Sequence, residues 1–505
     1  MNSHERTAQG MVVSLNRIRI VFGVVALFSI FSVFPAAAAT YHVDGDNGNN
    51  NNSGLSASSA WRDPWIADAR ISSGDTVIIH EKSGGNGLYH NGCNSVIEVD
   101  TPNTTWVAAP NELVRISQTG NFSTAPYSQC PRTVTIGIGA PNVTIDGFYV
   151  WGSIEIAQSG DGAVIQNCDL SGGGDSQGFP VVVRVYGSNT TPGYGSCSSS
   201  GANCVNNTDC PGSQTCTGDS SEWTDNVTVR HSRIHDNKPA LGQGGTNDTA
   251  IITYGASHMV VEFCEFYNTL NSGIKWKDRA YKNIARYNYF HDMPTGVQGD
   301  GQVGQDWIRT HHNVFANISE YAIATENGAV NEFGVYNNTF YNAGTSKGSI
   351  GWWHSGLNAP VDSYNNIFYF DSGGDFYHWE SNYWTIDSFG YVNDNVYYSA
   401  AGNTDFYVNN SRRGTTLSEW QSWLNSQGAN SNNGDDDSHW YNPGFSNGSG
   451  SFSSVNDFKR NSYPGDGRNG AVIGAFDSNS ATVGPGGAIQ QAGPLPQVQN
   501  VRIVN

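Results

Sequence analysis

The deciding stretch runs Asn288-Tyr289-Phe290, Asn313-Val314-Phe315, Asn338-Thr339-Phe340, Asn366-Ile367-Phe368 and Asn395-Val396-Tyr397. Each instance is an amide residue, any residue, then a large apolar one. Ser232-Arg233-Ile234 and Cys264-Glu265-Phe266 extend the series backwards with small residues at the first position. The apolar positions lie 32, 24, 25, 25, 28 and 29 residues apart. A period of this size marks a stacked repeat, in which residues distant in sequence become neighbours in space. Each repeat offers strands of three to five residues parted by Gly, Asn and Asp, and helical periodicity is nearly absent. A parallel β-helix accounts for this pattern, with coils about 4.8 Å apart. A propeller would need blades of four longer antiparallel strands. The aromatic residue of each triplet is expected inside. The Asn is expected to bond to its counterparts on adjacent coils, satisfying the polar groups of a tight turn.

Outward from this stretch, near the start of the chain, Arg17 and Arg19 precede an apolar run Ile20–Phe34, Pro35 and four alanines. This reads as a secretory signal over residues 1–39, too short and wrongly flanked for a membrane anchor. No later segment is apolar enough to span a bilayer. Residues 40–477 are expected to form the solenoid and 478–505, rich in Gly, Pro and Gln, a linker or tail. Within the solenoid, Thr76–His80, Thr133–Ile138, Val143–Ile145 and Val164–Ile165 read as strands, Trp61–Ala69 as a short cap helix and Leu417–Leu424 as a short helix. Residues 470–476 read as a closing strand. The step of 64 residues between Leu170 and Ile234 leaves room for an extra coil plus a loop.

That loop, residues 187–224, holds Cys197, Cys204, Cys210 and Cys216. Their spacing lacks the close pairs of zinc sites and implies two local disulfides in a secreted chain. Cys93 and Cys130 are candidates for a third. Cys168 and Cys264 fall on the repeat position, two strand spacings apart if Ser232 lies between them, and are expected as buried thiols. The net charge of −19 argues against nucleic acid and anionic membranes as partners. Sparse charge with many Gly, Asn and aromatic residues suits turns, strands and sugar contacts.

Val227–Asn237, Val260–Asn268, Ile284–Asp292, Ile308–Asn317 and Phe333–Asn342 resemble coils of the pectin-lyase-like, right-handed parallel β-helix proteins. Gly74–Ile79 and Ile473–Phe476 resemble the opening and closing strands of secreted bacterial members. The resemblance implies an all-β, right-handed parallel β-helix with a disulfide-rich insertion, secreted or held at the cell surface. It implies no single activity, because this fold carries lyases, hydrolases, esterases and adhesins.

Register then assigns columns. Gly273–Lys277, Gly296–Asp300, Ala322–Glu326 and Ser349–Trp353 align, placing Ile274, Val297, Ile323 and Ile350 inside and Lys277, Asp300, Glu326 and Trp353 in one outward column. Lys275, Gln298, Ala324 and Gly351 form a second outward column, and His354 and His378-Trp379-Glu380 extend this face. Lys275, Lys277, Arg279 and Lys282 are the densest basic cluster. Lyases of uronic acid polymers need a cation to neutralise the carboxylate, a base for the C5 proton and a donor for the leaving oxygen. The resemblance casts Lys277 or Lys275 as base and Arg279 as neutraliser, with Asp300 and Glu326 as calcium ligands. The family's Lys-then-Arg arrangement is missing, since the next coil offers Gln298 and Asp300. A plain ion-pair ladder is the competing reading. Another column, Arg230, Glu262, Arg286, His311, Tyr336 and Tyr364, reads either as a salt-bridge stack or as a groove with His311 as acid or base and Tyr336 as a platform. Trp353, His354, Tyr336 and His311 are thus the expected substrate contacts. The adjacent His311 and His312 are expected on opposite faces. The expectation is a polysaccharide lyase, monomeric, with polysaccharide as partner. A glycoside hydrolase using Asp300 and Glu326 and a non-catalytic glycan-binding protein are the alternatives.

Overall fold

The computed structural model describes residues 37–120, 130, 134–174, 179–187, 195–200, 202–217, 223–237, 247–300, 308–326, 333–353, 360–380, 384–402, 404–447 and 452–486. The leader and residues 487–505 lie outside these. Short parallel strands stack coil upon coil into a 12-stranded sheet and a 22-stranded sheet. The first sheet runs from Thr40–Val43 through Thr76–Ile79, Ile284–Arg286 and Ile308–His311 to Phe389–Asn393. The second holds two ladders. One contains Asp169–Gly172, Arg233–His235, Glu265–Tyr267, Thr339–Ala343 and Ile367–Phe370. The other contains Val183–Tyr186, Ile251–Tyr254, Ser272–Lys277, Gly348–Trp353 and Gly374–Trp379. Tyr289–Asp300 and Val314–Glu326 are long enough to serve both. Every coil therefore passes through three strand positions around one core, which is a parallel β-helix.

The amide triplets hold it together. The backbone N–H of Asn288 donates to Asn313 Oδ1 at 2.9 Å, that of Asn313 to Asn338, that of Asn338 to Asn366 and that of Asn366 to Asn395, each of these at 3.0 Å. Each of these side-chain amides also donates to a backbone carbonyl of the preceding coil. All five Asn residues are fully buried. Cys264 N–H joins the series by donating to Asn288 Oδ1, Cys168 N–H donates to Ser232 Oγ, and Asn395 N–H ends it on Ser438 Oγ. The residue before each member is left-handed: His231, Phe263, Tyr287, His312, Asn337, Asn365 and Asp394 have φ between 49° and 57°. That turn aims the next side chain inward. Beside it, Phe266, Phe290, Phe315, Phe340, Phe368 and Tyr397 stack ring on ring at 4.7–5.2 Å. These stacks are the spine of the main core.

Cys197–Cys210, Cys204–Cys216 and Cys93–Cys130 are disulfides, and Cys168 and Cys264 are buried thiols. Burial pushes the Cys168 thiol up to about 12. The insertion docks on the coils through Asp209, whose carboxylate takes Lys282 Nζ at 2.6 Å and His258 Nε2 at 2.8 Å. Leu417–Ser426 is helical, as expected.

Four expectations need correction. Leu170 pairs directly with Ile234, so the 64-residue step holds no extra coil. The Trp61–Ala69 segment makes only single turns, Pro64–Ile66 and Asp68–Arg70. Ile473–Phe476 is not a strand. It belongs to a strap, residues 441–447 and 452–486, that runs back along the outside of the coils. Phe445, Phe458, Ile473 and Phe476 cover Tyr289, Val314, Tyr341 and Ile367 in a second core. Ala475 N–H donates to Thr339 Oγ1 and Gly484 N–H to the Tyr287 carbonyl. Val483 is buried in this core, so packing continues past residue 478. Among the described residues no helix is long and apolar enough to cross a membrane.

Replacing Asn338 by Ala removes an acceptor used by Asn313 and donors to two carbonyls in a dry interior. Stability should fall by about 3 kcal/mol, the scale of one or two stranded buried polar groups. Chemical denaturation of Asn338→Ala against the parent protein checks this, and an unchanged midpoint would remove the ladder's structural role.

Candidate functional site

The lysine face is built by the second sheet. Strand register places Tyr254, Lys277, Asp300, Glu326 and Trp353 in one column. The adjacent column holds Lys275, Gln298, Ala324, Gly351 and His378. Both columns match the expected register through Trp353 and Gly351. Ile274, Val297, Ile323 and Ile350 line the core behind them.

Side-chain positions change the expected roles. Lys275 is fully buried and its Nζ lies 2.9 Å from Asp300 Oδ2. Lys277 retains 18% exposure, sits 3.8 Å from the same oxygen and donates to Asn247 Oδ1 at 3.0 Å. Its ammonium also lies 5.6 Å from the Tyr254 ring centre, which the Arg184 guanidinium approaches at 4.8 Å. Such contacts hold a cation against an aromatic face. Arg184, Lys275 and Lys277 thus converge on Tyr254 and Asp300. Lys275 is a buried charge rather than a reagent. Arg279 lies on the turn past the strand end, with φ 55°, and out of the column. Lys282 belongs to the insertion's dock.

Asp300 is the counter-ion of two lysines. A calcium ion needs six to eight oxygen ligands, and a carboxylate oxygen already in contact with an ammonium does not supply that donor set. The same contact ties up the carboxylate that a hydrolase would need. Glu326 and Trp353 are placed here by backbone register alone, and His354 lies outside the described residues.

The other column is also in register: Arg230, Glu262, Arg286, His311, Tyr336 and Tyr364 are successive partners. Its lower half is the salt-bridge stack, with Arg286 Nη2 at 2.7 Å from Glu262. Its upper half is not a sugar platform. Tyr336 is sandwiched between His311 at 4.8 Å and Tyr364 at 5.0 Å, with planes within 6° of parallel. Ring stacking of this kind uses both faces and leaves only an edge outward. His311 meets His312 at 2.8 Å between Nδ1 atoms, against the expectation of opposite faces. The left-handed turn at His312 breaks strand alternation there. Burial lowers His311 to about 3 and His312 to about 4, and the neighbouring Arg286 pushes both the same way. Neutral, buried and stacked, His311 is not an acid–base group at neutral pH.

Residue pattern alone did not single out Asp375, His378, Glu380 and Tyr321 as a unit. Asp375 Oδ2 takes His378 Nδ1 at 2.5 Å, and Tyr321 Oη donates to Glu380 Oε1 at 3.1 Å. The i, i+3 spacing of Asp375 and His378 was the available signal. Tyr321 lies on a strand three positions earlier in the coil than Ala324, and no periodicity links it to Glu380.

Residues 138–368 match the family model described as "Right handed beta helix region". With the stacked coils described above, this match gives the chain the right-handed parallel β-helix fold. No curated protein matches. Among solved structures, it is similar to lacto-N-biosidase from Eubacterium ramulus, at 10% identity and TM-score 0.48, covering 80% of this chain and 67% of that one. A pectate lyase aligns at 13% identity and TM-score 0.44 over 87% and 96%. A surface adhesin of Streptococcus pneumoniae aligns at 14% and 0.43 over 67% and 80%. Likeness at this level does not assign an activity to this β-helix.

Two measurements test the site. Asp300→Ala strands the buried Lys275 ammonium and should cost about 3–5 kcal/mol, much of it restored by adding Lys275→Met. Thermal denaturation of the single and double variants reads this, and additive losses would refute the pairing. For His311 and His312 the folded values lie below the unfolded 6.5. The unfolded chain therefore binds protons first as pH falls, so their contribution is complete above pH 6.5 and is lost on descending through about pH 4 and 3. Ring proton shifts of both residues should stay flat from pH 8 to 5. A midpoint near 6.5 for either would contradict the buried pairing.

Proposed function

We propose that this β-helix is an exported, carbohydrate-active protein that cleaves an acidic polysaccharide by β-elimination at the lysine face. The observation that carries the reading is the meeting of Lys275 and Lys277 on one Asp300 oxygen, beside Arg184 and Tyr254, in a chain of net charge −19. Local positive charge on an outward face suits a uronate carboxylate and is otherwise scarce in this molecule. The leader-like residues 1–39 and three disulfides favour an oxidising, extracytoplasmic setting.

In this reading Lys277 is the base, because it alone of the pair reaches solvent. Its neutral amine takes the C5 proton, the C–H electrons form the C4–C5 double bond, and the C4–O4 bond breaks as O4 takes a proton from water. Lys275, buried behind it, acts through its field. It favours the negative charge that develops on the uronate. Asp300 holds both lysines in place.

The protein is incubated with polygalacturonate, alginate, rhamnogalacturonan and glycosaminoglycans while the ultraviolet absorbance of unsaturated ends is followed. At least one polymer should yield absorbance, and Lys277→Ala should lower the rate 100-fold or more with the fold intact, the scale of losing a positioned base. No absorbance with any polymer, with or without calcium, would end the lyase reading, and reducing ends without absorbance would favour hydrolysis.

A further inference from the structure

Four coils beyond the lysines, the same outward column reaches His378. At one coil spacing per step from Lys275 through Gln298, Ala324 and Gly351, the separation is about 19 Å. The surroundings differ in kind. Asp375 Oδ2 holds His378 Nδ1 at 2.5 Å, which fixes the ring and turns Nε2 away from Asp375. The Tyr407 ring lies against the imidazole at 4.5 Å and blocks its rotation. On the far side, Glu380 Oε1 is 3.8 Å from Nε2 and accepts the Tyr321 hydroxyl. Tyr321 reaches Glu380 by lying over Gly351, where a Cβ would stand 2.0 Å from the Tyr321 ring. The coil is thus built to let that hydroxyl through.

A gap of 3.8 Å is too long for a hydrogen bond and fits one bridging oxygen about 2.8 Å from each atom. His378 and Glu380 are 13% and 33% exposed, so the gap opens to solvent. Among the described residues, two cations beside this cluster are matched, Arg412 with Asp405 at 2.7 Å and Lys347 with Glu320 at 3.3 Å. A carboxylate ligand would therefore meet Glu380 and Asp375 without a free positive partner, whereas a hydroxyl can donate to Glu380 and pair with Nε2.

We infer that Asp375, His378, Glu380 and Tyr321 form a second carbohydrate subsite on this face, one that takes the hydroxyl groups of a neutral sugar. His378 and Glu380 hold the hydroxyl, Asp375 is a positioning residue for the imidazole, and Tyr321 is one for Glu380. The subsite stands whether or not the lysine face eliminates.

The test is calorimetric titration with xylohexaose, cellohexaose, mannohexaose and β-1,4-galactohexaose, with hexagalacturonate as acidic comparator. At least one neutral hexasaccharide should bind with Kd below about 1 mM, a modest affinity for a subsite. His378→Gln and Glu380→Gln should each weaken it tenfold or more, while Arg62→Ala, at an exposed position outside both sites, leaves it within twofold. Glu380→Gln preserves shape at a partly exposed position, so it reports even if His378→Gln disturbs the strand. Gly351→Ala, which displaces Tyr321, should weaken binding as well. Failure of all four neutral ligands to bind, or binding unchanged in both Gln variants, overturns the subsite. Loss of elimination without loss of this heat would implicate the lysine face alone.

Discussion

The buried amide ladder is the constraint from which the rest follows. Each Asn side chain sits between coils and satisfies backbone groups of both, so coil n cannot slide against coil n+1 without stranding polar atoms in a dry interior. The left-handed residue before each rung, whether Asn337, Tyr287 or His231, makes the bend that presents the rung inward. Where the rung is Cys168 or Cys264, its N–H still donates to the next rung, Ser232 Oγ or Asn288 Oδ1, and the Cys264 sulfur takes the Ser232 N–H. The ladder is tolerant of residue type as long as the later member of each adjacent pair offers an acceptor to the earlier one's N–H.

Fixed register makes every outward position a column, and columns of like residues tend to consume their own chemistry. Tyr336 and Tyr364 illustrate this: coil spacing brings their rings into face-to-face contact, and what looks like an exposed aromatic row presents only edges. Arg286 and Glu262 cancel in the same way. A column escapes this where it changes character. Lys277 follows Tyr254 and precedes Asp300, and His378 follows the small residues Ala324 and Gly351, so neither meets a copy of itself.

This explains what could be read from residues alone. The triplet period converts directly into register, and so the partners of Lys277, Asp300, Glu326 and Trp353, and of Arg230 through Tyr364, follow by counting. Counting does not give burial. Lys275 lies on the outward side yet is fully enclosed, and its pairing with Asp300 is diagonal, one coil up and two residues along, outside any single column. Nor does alternation survive a left-handed turn, which is why His312 meets His311. The strap of residues 441–447 and 452–486 has no period, because its contacts are with coils far earlier in the chain, such as Asn365 with Arg468. Trp420 and Asp435, by contrast, close the C-terminal end of the core through a local bond at 3.1 Å.

A stacked fold also has a direction, and along this face the charge changes with it. The coils carrying Arg184, Lys275 and Lys277 come first, and those carrying Asp375, Glu380 and Asp405 come about 19 Å later. Because coils are added in chain order at constant rise, this polarity is a property of the sequence order itself. Moving one lysine by a full repeat would move its charge by one step up the face. A polymer laid along the columns would meet unlike environments at its two ends, so its orientation on the face would be decided by charge before any contact with a reacting group. What the scaffold fixes is therefore the spacing between these unlike surfaces, which the amide ladder holds constant.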